Sequence, residues 1–390
     1  MNNLLPVVNR CELLFTHGKG AYLYTENNAK YLDFISGVAV NVFGHADEKI
    51  TEIVSKQAKK MMHISNYFRS HELESAAEKL TNLTIGGKVF FLNSGAESVD
   101  TAIKISRRYF WHKKQSEKYE IISFKKSFHG RTLGAIASQG NEKYLEGFEP
   151  RLQGFKHAEL NNIDSVKALI TKNTAAIMLE PIQGEGGVSV CEKDFILQIK
   201  HLCSENNLLL IFDEVQCGVG RTGKLYAFEH YNVMPDILIT AKGLAAGIPI
   251  GACICTNEIA QCMTIGSHGS TFGGNPFAMS LVNYVLDTIS KPEFLHNICI
   301  ISDKIKTSVE KIIEKTGDKI IEIRGKGLLL GIKLNTKYTT QELVLSARKN
   351  KLLLAPTSYD NVVRLLPRLN TTDGEISDFE EKLYTSIIDL

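Results

Sequence analysis

Leu208-Leu-Leu-Ile-Phe-Asp213 and, after a short interval, Ile237-Leu-Ile-Thr-Ala-Lys242-Gly-Leu-Ala are two apolar runs, the first closing on an acid and the second interrupted by a lysine. The apolar parts have strand length. Burying an ammonium costs several kcal/mol unless the group is paired, neutralised or chemically consumed. Lys242 is therefore either less buried than its neighbours imply or reactive. The reactive reading is a Schiff base with an aldehyde cofactor.

Outward from this pair, further short apolar runs alternate with helix-length amphipathic stretches. Strands are expected at Lys88–Leu92, Glu120–Phe124, Ala175–Glu180, Leu208–Asp213, Asp236–Thr240 and Gly251–Cys255. Between them, Glu97–Lys113 puts Val99, Ala102, Ile103, Ser106 and Phe110 on one helical face, and Asp194–Glu205 does the same with Phe195, Ile199 and Leu202. Such alternation predicts an α/β fold built on a mostly parallel, doubly wound sheet. Before residue 45 the pattern is that of a hairpin, Gly20-Ala-Tyr-Leu-Tyr and Lys30-Tyr-Leu-Asp-Phe. After residue 275, helices at 276–289 and 293–315 lead into strands at 319–323, 327–334, 352–354 and 361–366 and a last helix at 374–387. The expected organisation is a large domain over 46–275 and a small α+β domain assembled from 1–45 and 276–390. No repeat, low-complexity segment or Pro/Gly/Ser-rich linker separates independent units.

The 390 residues carry 45 Lys and Arg against 43 Asp and Glu, a formal charge of +2. No global field favours nucleic acid or an acidic membrane, so ligands must be recognised locally. The eight cysteines form no CxxC pair, and no metal site is expected; free thiols in a reducing cytoplasm fit this pattern. The N-terminal residues lack a basic region followed by a long apolar one, which disfavours secretion. Ile237–Cys255 imitates a membrane helix, with Gly243, Gly247 and Gly251 at four-residue spacing. Lys242 and Pro249 argue instead for strand, glycine-rich loop and strand.

Open parallel sheets bind ligands at the carboxyl ends of their strands, and several polar residues fall there. Asn93-Ser-Gly-Ala-Glu-Ser98 opens a helix after a strand: a phosphate cradle of free N–H groups, or simply a helix start capped by Ser94 with Glu97 three residues on. Asp213 can hold a cationic nitrogen or merely end a strand. Ser127-Phe-His-Gly-Arg131 offers a ring face and a guanidinium, or a surface loop with a salt bridge. Glu180-Pro-Ile-Gln-Gly-Glu-Gly-Gly187 is an acidic glycine-rich loop, either a turn or part of a site. Gly218-Val-Gly-Arg-Thr-Gly223 matches the dinucleotide fingerprint and raises a nicotinamide-dependent oxidoreductase as the rival class. It starts too far after its strand and opens no clear helix.

Taken in order, Gly37-Val-Ala-Val-Asn-Val-Phe-Gly-His45, Asn93-Ser-Gly-Ala-Glu97, Phe128-His-Gly-Arg-Thr132, Leu179-Glu-Pro-Ile-Gln-Gly-Glu-Gly-Gly-Val188, Asp213-Glu-Val-Gln-Cys-Gly, Pro235-Asp-Ile-Leu-Ile-Thr-Ala-Lys242-Gly and His268-Gly-Ser-Thr-Phe-Gly-Gly-Asn-Pro276 resemble the class III, pyridoxal-phosphate-dependent aminotransferases. The resemblance runs over roughly residues 10–370 and is strongest toward the acetylornithine branch. It implies the fold-type I architecture of pyridoxal 5′-phosphate enzymes, with a large and a small domain. It also implies a cytoplasmic homodimer with shared active sites. The implied substrates are acetylornithine, 2-oxoglutarate and glutamate, in arginine biosynthesis. Close alternatives are succinyl-diaminopimelate, ornithine or 4-aminobutyrate as donor.

By this resemblance Lys242 holds the cofactor aldehyde and then shuttles a proton, while Asp213 pairs with the pyridinium nitrogen. Phe128 stacks on the ring; Glu214, Val215 and Gln216 belong to the same cofactor site. The Gly95 and Ala96 N–H groups take the phosphate, and Thr271 of a partner subunit joins them. Ser270 faces substrate. Arg131 holds the distal carboxylate and Arg364 the α-carboxylate, with Glu180 expected to neutralise Arg364 when a δ-amine is bound. Two stretches depart from the family pattern. Ser94-Gly-Ala-Glu-Ser-Val99 replaces the more usual Ser-Gly-Thr-Glu-Ala-Asn and so lacks one phosphate-binding hydroxyl. Arg364-Leu-Leu-Pro-Arg-Leu replaces Arg-Phe-Ala-Pro-Xaa-Leu.

Overall fold

The computed structural model describes residues 3–390. In chain order its strands are β1 (Phe15–Lys19), β2 (Tyr22–Thr25), β3 (Lys30–Asp33), β4 (Lys88–Leu92), β5 (Glu120–Phe124), β6 (Phe155–Ala158) and β7 (Thr174–Leu179). A short hairpin, β8 (Ile182–Gln183) with β9 (Ser189–Val190), precedes β10 (Leu209–Asp213), β11 (Ile237–Ala241) and β12 (Gly251–Cys255). The C-terminal strands are β13 (Ile320–Lys326), β14 (Leu329–Leu334), β15 (Leu352–Leu353), β16 (Ala355–Pro356) and β17 (Val362–Leu365).

Seven strands form the central sheet in the order β4-β12-β11-β10-β7-β5-β6. All run in one direction except β12, which is antiparallel to both neighbours. Every residue of β7, β10, β11 and β12 is buried. That burial explains why these runs are continuously apolar rather than alternating, as strands with helices on both faces must be. The helix Gly95–His112 covers one face through Val99, Ala102, Ile103, Ser106 and Phe110. The residues that imitate a membrane helix are β11, one 3-10 turn and β12. Among the described residues no helix is long and apolar enough to cross a membrane.

Two smaller sheets lie outside this core. One has the order β13-β14-β17-β16; the other, β1-β2-β3-β15, pairs Leu32 near the N-terminus with Leu352 near the C-terminus. Each parallel strand of the central sheet ends on a polar residue, Asp213 for β10, or is followed directly by one: Asn93, Lys125, Glu159, Glu180 and Lys242. The eight cysteines are all unpaired thiols.

Candidate active site

The ends of β4, β5, β7, β10 and β11 converge on a cavity of about 340 Å3. Its walls include Gly95, Ala96, Phe128, Glu180, Asp213, Val215, Gln216 and Lys242. Lys242 leaves β11 in the left-handed region, φ 48°, a conformation that costs a non-glycine residue energy and persists where surrounding structure demands it. Ala246 (φ 46°) shares the strain and Gly247 (φ 120°) adopts a conformation open to glycine, so the lysine sits on a tightly folded loop rather than on a strand. Burial and the nearby Arg364 charge push its ammonium down to about 8, although Asp213, Glu180 and Glu185 pull the other way. Among the described residues it makes no hydrogen bond or ion pair. It is half-buried where Ala241 and Gly243 on either side are buried, and it lines the cavity.

Asp213 closes β10 with its carboxylate fully inside the protein. One oxygen accepts the Val215 N–H at 3.0 Å; the other lies 2.7 Å from His129 Nδ1. Burial opposes charge on this imidazole, but Asp213 more than offsets it, and the net shift is upward. Among the described residues His129 Nε2 has no hydrogen-bond partner. Sequence reading gave His129 no role, because a single histidine inside a motif is usually structural; only the fold shows it against Asp213.

Ser94 caps the helix Gly95–His112 by accepting the Glu97 N–H at 3.2 Å, and Glu97 reaches back to the Asn93 N–H at 2.6 Å. The N–H groups of Gly95 and Ala96 stay free at the positive end of that helix. A side chain at Gly95 would meet Val215 at 2.9 Å, and one at Gly130 would meet Ala96 at 2.5 Å, so the cradle is bare by steric necessity. Free donors, a buried carboxylate and a desolvated lysine on one wall fit a phosphorylated, cationic ring bearing an aldehyde. The missing hydroxyl at Ala96 leaves those backbone donors in place.

Arg364, buried on β17, donates to Glu185 Oε1 at 2.6 Å through Nη2 and to Gln216 Oε1 at 3.1 Å through Nη1. The expected neutralising partner, Glu180, is elsewhere. Its carboxylate accepts the Phe128 N–H at 3.0 Å, and burial raises it to about 8. Gln216 is pinned between Arg364 and Gly184, where a Cβ would lie 2.1 Å from its amide.

Glu214 turns away from the cavity; its carboxylate takes the Ala227 and Phe228 N–H groups and ends a different turn. Arg131, next to Gly130 of the cavity wall, is exposed, its guanidinium 3.7 Å from the Tyr144 ring centre. Ser270 lies close by, its Oγ 3.3 Å from Asn93 Nδ2. Thr271 is exposed and lines nothing in its own chain's cavity. Gly218–Gly223 forms tight turns instead of opening a helix, and Arg221 inside it is buried against the Leu328 and Pro367 carbonyls, which excludes a dinucleotide cradle there. Among the described residues no cluster of His, Cys, Asp and Glu is suited to a metal.

A family model for class-III aminotransferases matches residues 6–387. The chain belongs to the class III aminotransferases. An acetylornithine aminotransferase from Agrobacterium fabrum is 47% identical over 372 residues, covering 95% of this chain and 92% of the relative. Among solved structures, an ornithine aminotransferase from Toxoplasma gondii superposes with a TM-score of 0.94 at 29% identity, covering 99% of this chain and 93% of that one. An N-acetylornithine aminotransferase from Stenotrophomonas maltophilia gives 0.85 at 31% identity, with 97% and 96% covered. Class III aminotransferases depend on pyridoxal 5′-phosphate, and the cavity has the donor set for it.

Proposed function

We propose that this chain transfers the δ-amino group of N2-acetylornithine to 2-oxoglutarate, as a cytoplasmic homodimer serving arginine biosynthesis. Lys242 would hold the cofactor and, once freed, would move a proton at the substrate carbon. Asp213, steadied by His129, would hold its ring nitrogen, Gly95 and Ala96 its phosphate, and Phe128 and Val215 would lie beside its ring. Bound there, pyridoxal phosphate supplies a sink for the electron pair left when the C–H bond beside the amine breaks. Thr271 completes the phosphate site of the partner subunit, and Ser270 faces substrate. Residues 1–45 and 276–390 act as one small domain that carries Arg364 to the large domain over 46–275.

The Arg364–Glu185 pair beside Lys242 carries the reading. A δ-amine donor has no carboxylate next to its reacting carbon, so an arginine reserved for the α-carboxylate of glutamate must be neutralised while that donor is bound. Glu185 does this in place of Glu180, and it releases Arg364 when the keto acid enters. The relatives named above support the acetylornithine donor. A steady-state screen of N2-acetylornithine, succinyl-diaminopimelate, ornithine and 4-aminobutyrate against 2-oxoglutarate tests the proposal. The expected result is the highest kcat/KM for acetylornithine; a tenfold preference for unacylated ornithine or 4-aminobutyrate contradicts it.

A further inference from the structure

Arg131 makes no ion pair and no hydrogen bond among the described residues, yet it is not loose. Its guanidinium carbon lies 3.7 Å from the Tyr144 ring centre and 5.6 Å from that of Phe128. The two rings meet edge to face at 6.4 Å. Its backbone is anchored too, since Gly130 before it has φ 124° and any side chain there would strike Ala96. Tyr144 is held in turn by the single 3-10 turn Glu142–Tyr144, and its hydroxyl reaches Ser358 Oγ at 3.4 Å. Ser358 donates its N–H to the Glu185 carbonyl at 3.2 Å. A row of contacts thus runs from Arg131 to the loop bearing Glu185.

We propose that Tyr144 is the positioning residue that sets Arg131 as a carboxylate receptor, and so selects donors whose carboxylate lies far from the reacting amine. The inference rests on the acetylornithine reading above. A guanidinium laid on a ring uses only its face, while all five N–H groups point outward in its plane. The ring therefore fixes the fork without occupying it. An exposed arginine otherwise loses rotamer freedom when it grips a carboxylate, and a pre-set one loses less.

Two measurements on the holoenzyme test this. One is calorimetric binding of N-acetyl-L-norvaline, which keeps the far carboxylate but has no δ-amine to react. The other compares steady-state rates with N2-acetylornithine and with 1,4-diaminobutane, an amine without a carboxylate. Tyr144→Leu is expected to weaken acetylnorvaline binding and raise KM for acetylornithine by about fivefold to thirtyfold, the range of a cation–π contact of ~1–2 kcal/mol. It should leave kcat for both donors and KM for the diamine unchanged. Tyr144→Phe, which keeps the ring face, should stay within about twofold of the parent. Tyr144→Met serves in place of the leucine variant if that fails to fold. Equal losses on both donors, unchanged binding in Tyr144→Leu, or a Tyr144→Phe loss as large as that of Tyr144→Leu would each overturn the proposal. Arg131→Gln separates the two levels of argument: if it too leaves acetylnorvaline binding intact, the far-carboxylate reading falls and this inference with it.

Discussion

Arg364 and Glu185 approach to 2.6 Å, with the arginine side chain 4% exposed and the glutamate 19%. A charge pair so little hydrated is costly to break by deleting one member, because the other is left stranded. Deleting Glu185 should therefore leave Arg364 open to any carboxylate beside the reacting amine. Glu185→Gln is expected to lower kcat/KM for acetylornithine by about tenfold while holding or raising that for glutamate. Glu180→Gln, whose parent carboxyl meets the Phe128 N–H, should not change the preference between the two. Parallel kinetics on both donors check the contrast.

His129 and Asp213 form a second buried pair, 2.7 Å apart, in the cavity wall. Removing the imidazole strands the Asp213 carboxylate that is proposed to hold the cofactor nitrogen. His129→Leu should weaken retention of pyridoxal phosphate by roughly tenfold, with His129→Asn partly restoring it. Absorbance of the bound cofactor after gel filtration reports this. The His129 value is raised above 6.5, so the pair's added stability is fully present below pH 6.5 and is lost as pH rises through the raised value. Thermal melts of the apoprotein should show that loss in the parent and not in His129→Leu.

Lys242 has an ordinary value of 10.5 pushed down to about 8. Since the neutral amine is the nucleophile, the rate at which apoprotein captures pyridoxal phosphate should climb with pH and level off just above 8. Arg364→Gln removes a cation that helps depress the amine, so its plateau should move to higher pH. Stopped-flow absorbance over pH 6.5–10 reads both curves.

These residues were unequally legible in the sequence. The runs that became β4, β5 and β12 are read to the residue; β12 is buried throughout and β5 in all but its first residue, whereas the edge strand β4 starts on an exposed Lys88 and buries only Phe91 and Leu92. The strand Phe155–Ala158 escaped because it is an edge strand, mostly half-buried, whose Lys and His break the pattern. Helices Glu48–Lys60 and His71–Asn82 went unread as well, although both are amphipathic; each buries only one or two residues fully. Lys242 and Asp213 stand out because a charge interrupting or ending an apolar run needs a cause. The choice between Glu180 and Glu185 was beyond reach: both are in one loop, and only the β8–β9 hairpin turns the second toward Arg364. His129 likewise becomes informative only once two distant segments meet.

Thr271 is exposed and away from its own chain's cavity, as a residue serving a partner would be. If it completes the partner's phosphate site, Thr271→Ala and Lys242→Ala chains mixed and reassembled should complement each other. A mixed dimer has one site with both residues intact and should recover up to about half the parental activity, whereas each variant alone stays low. Recovery on mixing, measured against dimer exchange, checks the shared site.

Lys242 as the point of covalent attachment is the centre of the proposed chemistry. The direct measurement is borohydride reduction of protein loaded with pyridoxal phosphate, followed by peptide mass mapping. The predicted result is a single phosphopyridoxyl group on the peptide containing Lys242 and no yellow colour in Lys242→Ala. A label on another lysine, or a Lys242→Ala protein that stays yellow and is labelled to the same extent, would contradict it.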